Sequence, residues 1–188
     1  VRFSLHAFRA RQPEDIYETV RKIAWENIIP KDGYFSVNNS AEHLTLNNTM
    51  FINVKVKDAI VDRFRSVTGG RPDSGSETDK TVIHLHWKDD RAEIFLDTSG
   101  PVISKHGYRR IPGKAPMQES LASAILIAAK WDRNTPLVNP MCGSGTIAIE
   151  AALLASGRKP GLLRKAYAFQ HILGYNPEFE NELRREIE

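Results

Sequence analysis

The sequence has few of the residues that build disulfides and metal sites. Its 188 residues include one cysteine, Cys142. A single cysteine cannot form a disulfide within the chain, and no Cys/His set has the spacing of a zinc site. The N-terminus lacks the pattern of a signal peptide, and no apolar run approaches the length that spans a bilayer. We therefore expect a cytoplasmic protein that has no metal site and no membrane segment. We make no prediction about its oligomeric state.

Acidic residues are missing from one stretch of the chain. Between Asp97 and Glu119 there is no Asp or Glu, while His106 and Tyr108 alternate there with four cations: Lys105, Arg109, Arg110 and Lys114. Such a stretch attracts phosphate backbones, and a tyrosine ring offers a surface for base stacking. The net charge of only +3 indicates a local patch rather than a globally basic protein. A solvated basic linker explains the charge equally well.

The most informative stretch that is present runs from Leu137 to Glu150. A short apolar run at 136–138 meets an Asn-Pro turn at 139–140 and a Gly-Ser-Gly loop at 143–145, and a helical pattern covers 146–155. This order predicts a buried strand that leads into a glycine loop, which opens a helix. Such a loop presents unpaired backbone N–H groups and a helix N-terminus to a ligand.

Neighbouring residues exclude several functions of a glycine loop. A P-loop requires a Lys after its second glycine, but Thr146 and Ile147 follow Gly145 here. A nucleophile elbow is absent because Cys142 directly precedes the loop. The dinucleotide fingerprint is met only in its weak form, through Ala148, and no strand with an acidic end follows at the expected distance. A plain glycine turn remains the alternative for the glycines alone.

The longer string is more specific than its glycines. Residues 139–152 resemble the first motif of class I S-adenosylmethionine-dependent methyltransferases. The closest resemblance is to the large-subunit ribosomal RNA guanine-N2 methyltransferases, which carry an RNA-binding THUMP domain and are often labelled N6-adenine-specific DNA methylases. Further segments stand in this family's order between about Lys31 and Arg164: Leu96–Gly100, Gly107–Arg109, Ala115–Glu119 and Pro160–Leu162. The family usually has Asp where this chain has Asn139, so a negative charge is lost while hydrogen-bonding capacity is kept.

The resemblance implies a fold and a domain organisation. We expect an α+β THUMP-like RNA-binding module over residues 1–98 and a basic linker over 99–116. Residues 117–188 would form the first helix, strand, glycine loop and helix of an α/β Rossmann-like methyltransferase domain. RNA would be contacted by Lys105, Tyr108, Arg109, Arg110 and Lys114. Arg109 could instead brace the two domains.

The resemblance also implies a cofactor and an activity. S-adenosyl-L-methionine (SAM) would be bound by Asn139, Pro140, Met141, Cys142, Gly143, Ser144, Gly145 and Thr146. The enzyme would be a methyltransferase that modifies RNA. The target favoured by the resemblance is guanine N2 of large-subunit ribosomal RNA. The chain starts at Val1 rather than Met and lacks an Asn-Pro-Pro-type motif for the target base. We therefore expect a fragment, inactive by itself, with its catalytic residues beyond the end of this chain.

Two alternative functions stay open. One is a non-catalytic RNA-binding module, which Asn139 suggests. The other is an N6-adenine DNA methyltransferase. Among single side chains, His84 and His86 share one strand face and are more simply surface residues than a metal site. Cys142 is interpreted as loop packing rather than a nucleophile, Glu150 as structural, and Glu119 as a residue that could reach the methionine end of the cofactor.

Periodicity predicts the remaining elements. An amphipathic helix begins at Pro13. Strands are predicted at 34–37, 50–56, 81–87 and 92–97, of which the last two form a hairpin. A helix that begins near Val56 ends at Gly69, and residues 71–80 are expected to form a mobile loop. A helix over 117–131 is expected to pack on the sheet through Leu121, Ala124, Ile125 and Ala128.

Overall fold

The computed structural model describes residues 1–42, 49–111 and 115–187. These residues form two compact units. The first contains Val1–Pro101 together with Ala166–Asn176, and the second contains Val102–Lys165 together with Pro177–Glu188. The predicted boundaries at 98 and 116 stay a prediction. In the described part of the chain, no helix is long and apolar enough to cross a membrane.

A five-stranded mixed sheet is the centre of the first unit. Its order is β1-β5-β4-β2-β3, where the strands are β1 (Arg2–Arg9), β2 (Tyr34–Glu42), β3 (Asp73–Gly75), β4 (Thr81–Lys88) and β5 (Arg91–Asp97). Strand β4 pairs antiparallel with β5, in the register Leu85 to Ile94, and parallel with β2. The predicted hairpin is therefore confirmed, with Asp89 at positive φ in its turn.

Two helices, α1 (Pro13–Lys22) and α2 (Thr49–Thr68), supply apolar side chains to the core of this unit. Helix α1 begins at Pro13 as predicted, because proline has no N–H to leave unpaired in the first turn. The core also buries two tryptophans whose ring N–H groups are satisfied. Trp25 donates to the Val20 carbonyl at 2.8 Å, and Trp87 donates to the Ala10 carbonyl at 3.0 Å.

The strand predicted over residues 50–56 is wrong, because this segment is the first half of α2. Burial follows a spacing of four rather than two. Ile52, Val56, Ile60 and Phe64 are fully buried, whereas Val54 is 46% exposed. The end of the helix is confirmed, since Gly69 follows it at φ +68°.

Three further parts of the sheet differ from the prediction. Strand β1 was not predicted at all. Strand β2 continues through the Asn38–Ser40 cluster, which was expected to end it, because it pairs with β4 from Phe35 to Glu42. Within the predicted loop 71–80, β3 pairs parallel with β2. These strands are specified by their partners in the sheet and not by their own composition.

The second unit contains helices α3 (Glu119–Ala128), α4 (Thr146–Ala155) and α5 (Pro177–Ile187). Helix α4 has the predicted limits. Residues 136–138 do not form the predicted buried strand, and Val138 is 82% exposed. A strand needs a neighbour for its backbone N–H and C=O groups, and no strand is found among the described residues of this unit.

The packed face of α3 also differs from the prediction. The buried residues are Glu119, Ala122 and Leu126, while Leu121 and Ile125 are 51% and 41% exposed. Helices α3 and α4 contact each other. The face of α3 that was expected to cover a sheet is therefore exposed to solvent. The buried face is the one that carries Glu119, Ala122 and Leu126, which is partly apolar and partly charged.

Candidate functional site

The glycine loop lies at the N-terminus of α4. Gly143 has φ +53° and Gly145, the residue that caps the helix, has φ +76°. The Gly145 N–H donates to the Cys142 carbonyl at 2.8 Å, which closes a tight turn. Side chains with a Cβ rarely adopt these φ values, so the backbone itself requires glycine at both positions.

The loop is open on its outer side. A Cβ atom on Gly143 would meet nothing within 4 Å, and one on Gly145 would meet only Ile149 Cδ1 at 4.0 Å. Met141 is 91% exposed, and Cys142 is exposed as well. The first N–H groups of a helix have no partner within the helix and carry partial positive charge. The geometry therefore offers an accessible site for an anionic group.

Arg109 connects this loop to the start of α3. Its guanidinium donates to Ser144 Oγ at 2.9 Å, to Thr146 Oγ1 at 2.9 Å and to the Met117 carbonyl at 3.0 Å. Its Nε lies 3.0 Å from Glu119 Oε1, and the side chains of this ion pair are 15% and 6% exposed. Four of the five guanidinium N–H groups can be placed in this way, so Arg109 fixes the position of the loop relative to α3.

A buried carboxylate lies behind the loop. Glu150 is 1% exposed. It accepts a hydrogen bond from Tyr108 Oη at 2.7 Å and another from Ser123 Oγ, and His106 Nδ1 lies 2.8 Å away. Burial, together with the bond to Glu150, raises the pKa of the Tyr108 hydroxyl, which therefore stays protonated as a donor.

A cavity of about 430 Å³ adjoins the Arg109–Glu119 ion pair. Its lining combines cations, one carboxylate and apolar side chains; the residues are Lys105, Gly107, Arg109, Pro116, Met117, Gln118 and Glu119. An amino-acid zwitterion carries both an ammonium and a carboxylate. The Arg109–Glu119 pair and Lys105 give the wall of this cavity charges of both signs, although Arg109 and Glu119 also neutralise each other.

The structure brings together only part of the predicted cofactor set. Ser144 and Thr146 share Arg109, and Gly143 and Gly145 shape the turn. The side chains of Pro140, Met141 and Cys142 point to solvent, and Asn139 is half-buried. The contribution of each to binding stays a prediction.

The predicted RNA contacts divide into two groups. Tyr108 and Arg109 are occupied by the internal bonds described above, and Arg109 braces elements within one unit rather than two domains. Lys105 and Arg110 are exposed. Lys114 lies outside the described residues. The prediction did not identify His106 and Ser123 as site residues, although Ser123 follows Glu119 by four positions and so lies on the same face of α3.

His84 and His86 lie on one face of β4, as predicted, but only His86 is exposed; His84 is 5% exposed and is not the surface residue expected from the sequence. Ser40 Oγ lies 3.0 Å from His84 Nε2 and 2.9 Å from His86 Nδ1. Burial lowers the pKa of His84 to about 4, and Arg2 acts in the same direction. No group of three or more metal-binding side chains occurs in the described ranges.

Comparison with known families places this site in context. Residues 10–97 match the THUMP domain family, and residues 106–188 match the family UPF0020, described as an RMKL-like methyltransferase domain. The two matches give a THUMP domain followed by a methyltransferase domain. The chain is similar to these two families in this order, so the resemblance is confirmed.

Individual relatives agree with this assignment. The chain is 39% identical over 182 residues to ribosomal RNA large subunit methyltransferase K/L of Shewanella woodyi, covering 96% of this chain and 26% of that protein. It resembles the crystal structure of SMU.472, a proposed methyltransferase complexed with SAH, with TM-score 0.79 and 31% identity. A predicted N6-adenine-specific DNA methylase from Listeria monocytogenes gives TM-score 0.82 at 28% identity. Each structural match covers 99% of this chain and 49% of the solved one.

Proposed function

We propose that the loop 139–146 binds the methionine end of SAM and that the protein is a methyltransferase acting on RNA. The observation that carries this proposal is the exposed turn at Gly143 and Gly145, from which helix α4 begins. SAM supplies a methyl group already activated on a sulfonium, so the protein mainly has to hold donor and acceptor in line.

The residues present suit this cofactor. The Gly145 N–H is occupied by the Cys142 carbonyl, so the N–H groups of Gly143, Ser144, Thr146 and Ile147 are the ones that would stabilise a carboxylate at the helix N-terminus. The Glu119 carboxylate, at the cavity beside Arg109, can attract the ammonium or the sulfonium. The relative crystallised with SAH supports the same choice of cofactor.

The substrate we propose is large-subunit ribosomal RNA, modified at guanine N2. Support comes from the THUMP match and from the K/L relative, whose name states its ribosomal RNA substrate. Of the predicted RNA contacts, Lys105 and Arg110 are exposed and accessible to the phosphate backbone. An enzyme with this substrate would work in the cytoplasm. Residues that hold the target base are not assigned in this chain, and we propose that they belong to a further part of the methyltransferase domain.

Titration calorimetry of the gene-encoded protein with SAM tests the cofactor assignment. Gly143→Asp adds a carboxylate where the carboxylate of SAM is expected. Gly157→Asp is the matched control, because Gly157 also has positive φ, at +67°, and a Cβ added there would likewise meet nothing within 4 Å. Both variants carry similar backbone strain. We expect Gly143→Asp to weaken SAM binding at least about tenfold, through like-charge repulsion, and Gly157→Asp to leave it unchanged.

The outcomes separate the candidate functions. If the two substitutions weaken SAM binding equally, the loop is not part of the cofactor site. A wild-type protein that binds ribosomal RNA but not SAM would favour the non-catalytic RNA-binding module. Transfer of a tritiated methyl group to adenine in DNA, and not to guanine in RNA, would favour the DNA methyltransferase that the description of the Listeria protein suggests.

A further inference from the structure

The contacts of Arg109 determine where the hydroxyl protons of the loop can point. A guanidinium can only donate, so Ser144 Oγ and Thr146 Oγ1 both act as acceptors toward Arg109, each at 2.9 Å. The Thr146 side chain is buried, with the residue 3% exposed. Its own proton therefore needs an acceptor inside the protein, because an unpaired buried hydroxyl is costly.

Ser144 Oγ meets this need. It lies 3.2 Å from Thr146 Oγ1. Among the described residues, no other acceptor is found for the proton of the Thr146 hydroxyl. A serine oxygen has two lone pairs. One lone pair then accepts from Arg109 and the other from Thr146, so the Ser144 hydroxyl can act further only as a donor. Ser144 is exposed, so its hydroxyl is accessible to a ligand.

We propose that Arg109 and Thr146 are positioning residues that turn the Ser144 hydroxyl into a fixed donor for the carboxylate of the bound amino-acid tail. This inference rests on the proposed function and adds a side-chain contact to the backbone N–H groups of the loop. Glu119 holds the guanidinium through its 3.0 Å contact with Nε and balances its charge. The fork of Arg109 suits this role because one planar group reaches Ser144, Thr146 and Glu119 together.

The test compares two ligands that differ only in the carboxylate, SAM and decarboxylated SAM, on the gene-encoded protein. Ser144→Ala should weaken SAM binding about 10- to 100-fold, the range for a lost hydrogen bond to a charged group. The same variant should change binding of decarboxylated SAM by less than about twofold. Ser156→Ala is the matched control, because the Ser156 hydroxyl bonds to the Ala152 carbonyl at the far end of α4. It should leave both affinities unchanged.

A second pair of variants tests the positioning role. Thr146→Val keeps the shape of the side chain but removes the hydroxyl, so Ser144 regains a free lone pair and its proton is no longer fixed. SAM binding should fall roughly 3- to 10-fold, again with little change for decarboxylated SAM. Thr146→Ser restores the hydroxyl and should restore SAM affinity to within about twofold of the wild type.

The possible failures are distinguishable. If Ser144→Ala weakens both ligands equally, or neither, the carboxylate contact is overturned while the proposed function stands. If Thr146→Ser does not restore what Thr146→Val loses, the positioning role is overturned. A wild-type protein that binds neither ligand overturns the proposed function together with this inference. Circular dichroism of each variant shows whether the fold is retained.

Discussion

The two units of this chain are stabilised in opposite ways. The first encloses large apolar side chains between its sheet and two helices, and Trp25, Phe35, Phe64 and Trp87 are fully buried there. Among the described residues of the second unit, the buried apolar side chains are only Ala122, Leu126 and Ala151. Polar and charged groups fill the rest of its interior.

This difference teaches which interactions organise the proposed cofactor site. Buried Glu119, Thr146 and Glu150 lie where an ordinary helix pair would place leucine or valine. Apolar packing is non-directional, whereas the hydrogen bonds of these groups fix angles and distances. The first unit therefore resists unfolding mainly through burial, and the second fixes a loop geometry through a polar network.

The largest expected effect is the loss of a core side chain in the first unit. Phe64→Ala should lower the free energy of unfolding by about 3–5 kcal/mol, because it leaves a cavity among fully buried neighbours. Val67→Ala on the same helix is the control. Val67 is 51% exposed, so its truncation should change stability by about 0.5 kcal/mol or less. Urea denaturation followed by tryptophan fluorescence measures both. Similar values for the two variants would contradict a core centred on this helix.

The next effect is the loss of the buried carboxylate in the second unit. Glu150→Ala leaves Tyr108, Ser123 and His106 without their shared acceptor and should cost about 3 kcal/mol. Hydrogen exchange should then accelerate in α3 and α4, while the core strands β4 and β5 stay protected. Glu182→Ala removes an exposed carboxylate of the same unit and should leave exchange unchanged. If the two variants behave alike, the polar network does not stabilise this unit.

Much of the first unit could be predicted from the sequence, but only where the signal is local. Pro13 marks the start of α1, and alternation marks the hairpin of β4 and β5. The prediction was wrong at residues 50–56, where apolar residues stand at every second position. This alternation also fits a helix, because a helix can bury the apolar residues that are four positions apart and expose the others. The prediction also missed β1, whose polar residues become a strand through pairing with β5.

The second unit shows the same limit more strongly. The glycine string predicted the turn and the limits of α4, because glycine and helix signals are local. The strand at 136–138 was wrong because a strand requires partners that no local pattern contains. The contacts of Arg109 with Ser144 and Thr146 join residues 35 and 37 positions apart. Nothing in the spacing of these residues indicates that one guanidinium would hold both hydroxyls.

The smallest expected effect is a pH dependence of the free energy of unfolding that belongs to the first unit. Burial lowers the pKa of His84 to about 4, with Arg2 and His86 acting in the same direction and Asp97 against it. The unfolded chain binds a proton near pH 6.5, so between pH 6.5 and 4 it carries more protons than the folded state. This part of the stability is complete above pH 6.5 and is lost as the pH falls toward 4.

The expected loss is about 2 kcal/mol, less than the full linkage value, because the measurements end at pH 4.5, before the buried imidazole of the folded state is fully protonated. Urea titrations at pH 7, 5.5 and 4.5 should show that His84→Gln flattens this dependence in the first unit. Ser66→Ala is the control, because it changes no titratable group and removes only an exposed hydroxyl that donates to the Arg63 carbonyl in the same unit. Its pH dependence should match that of the wild type. An unchanged slope in His84→Gln would mean that a different group of the first unit responds to acid, since the comparison removes only this imidazole.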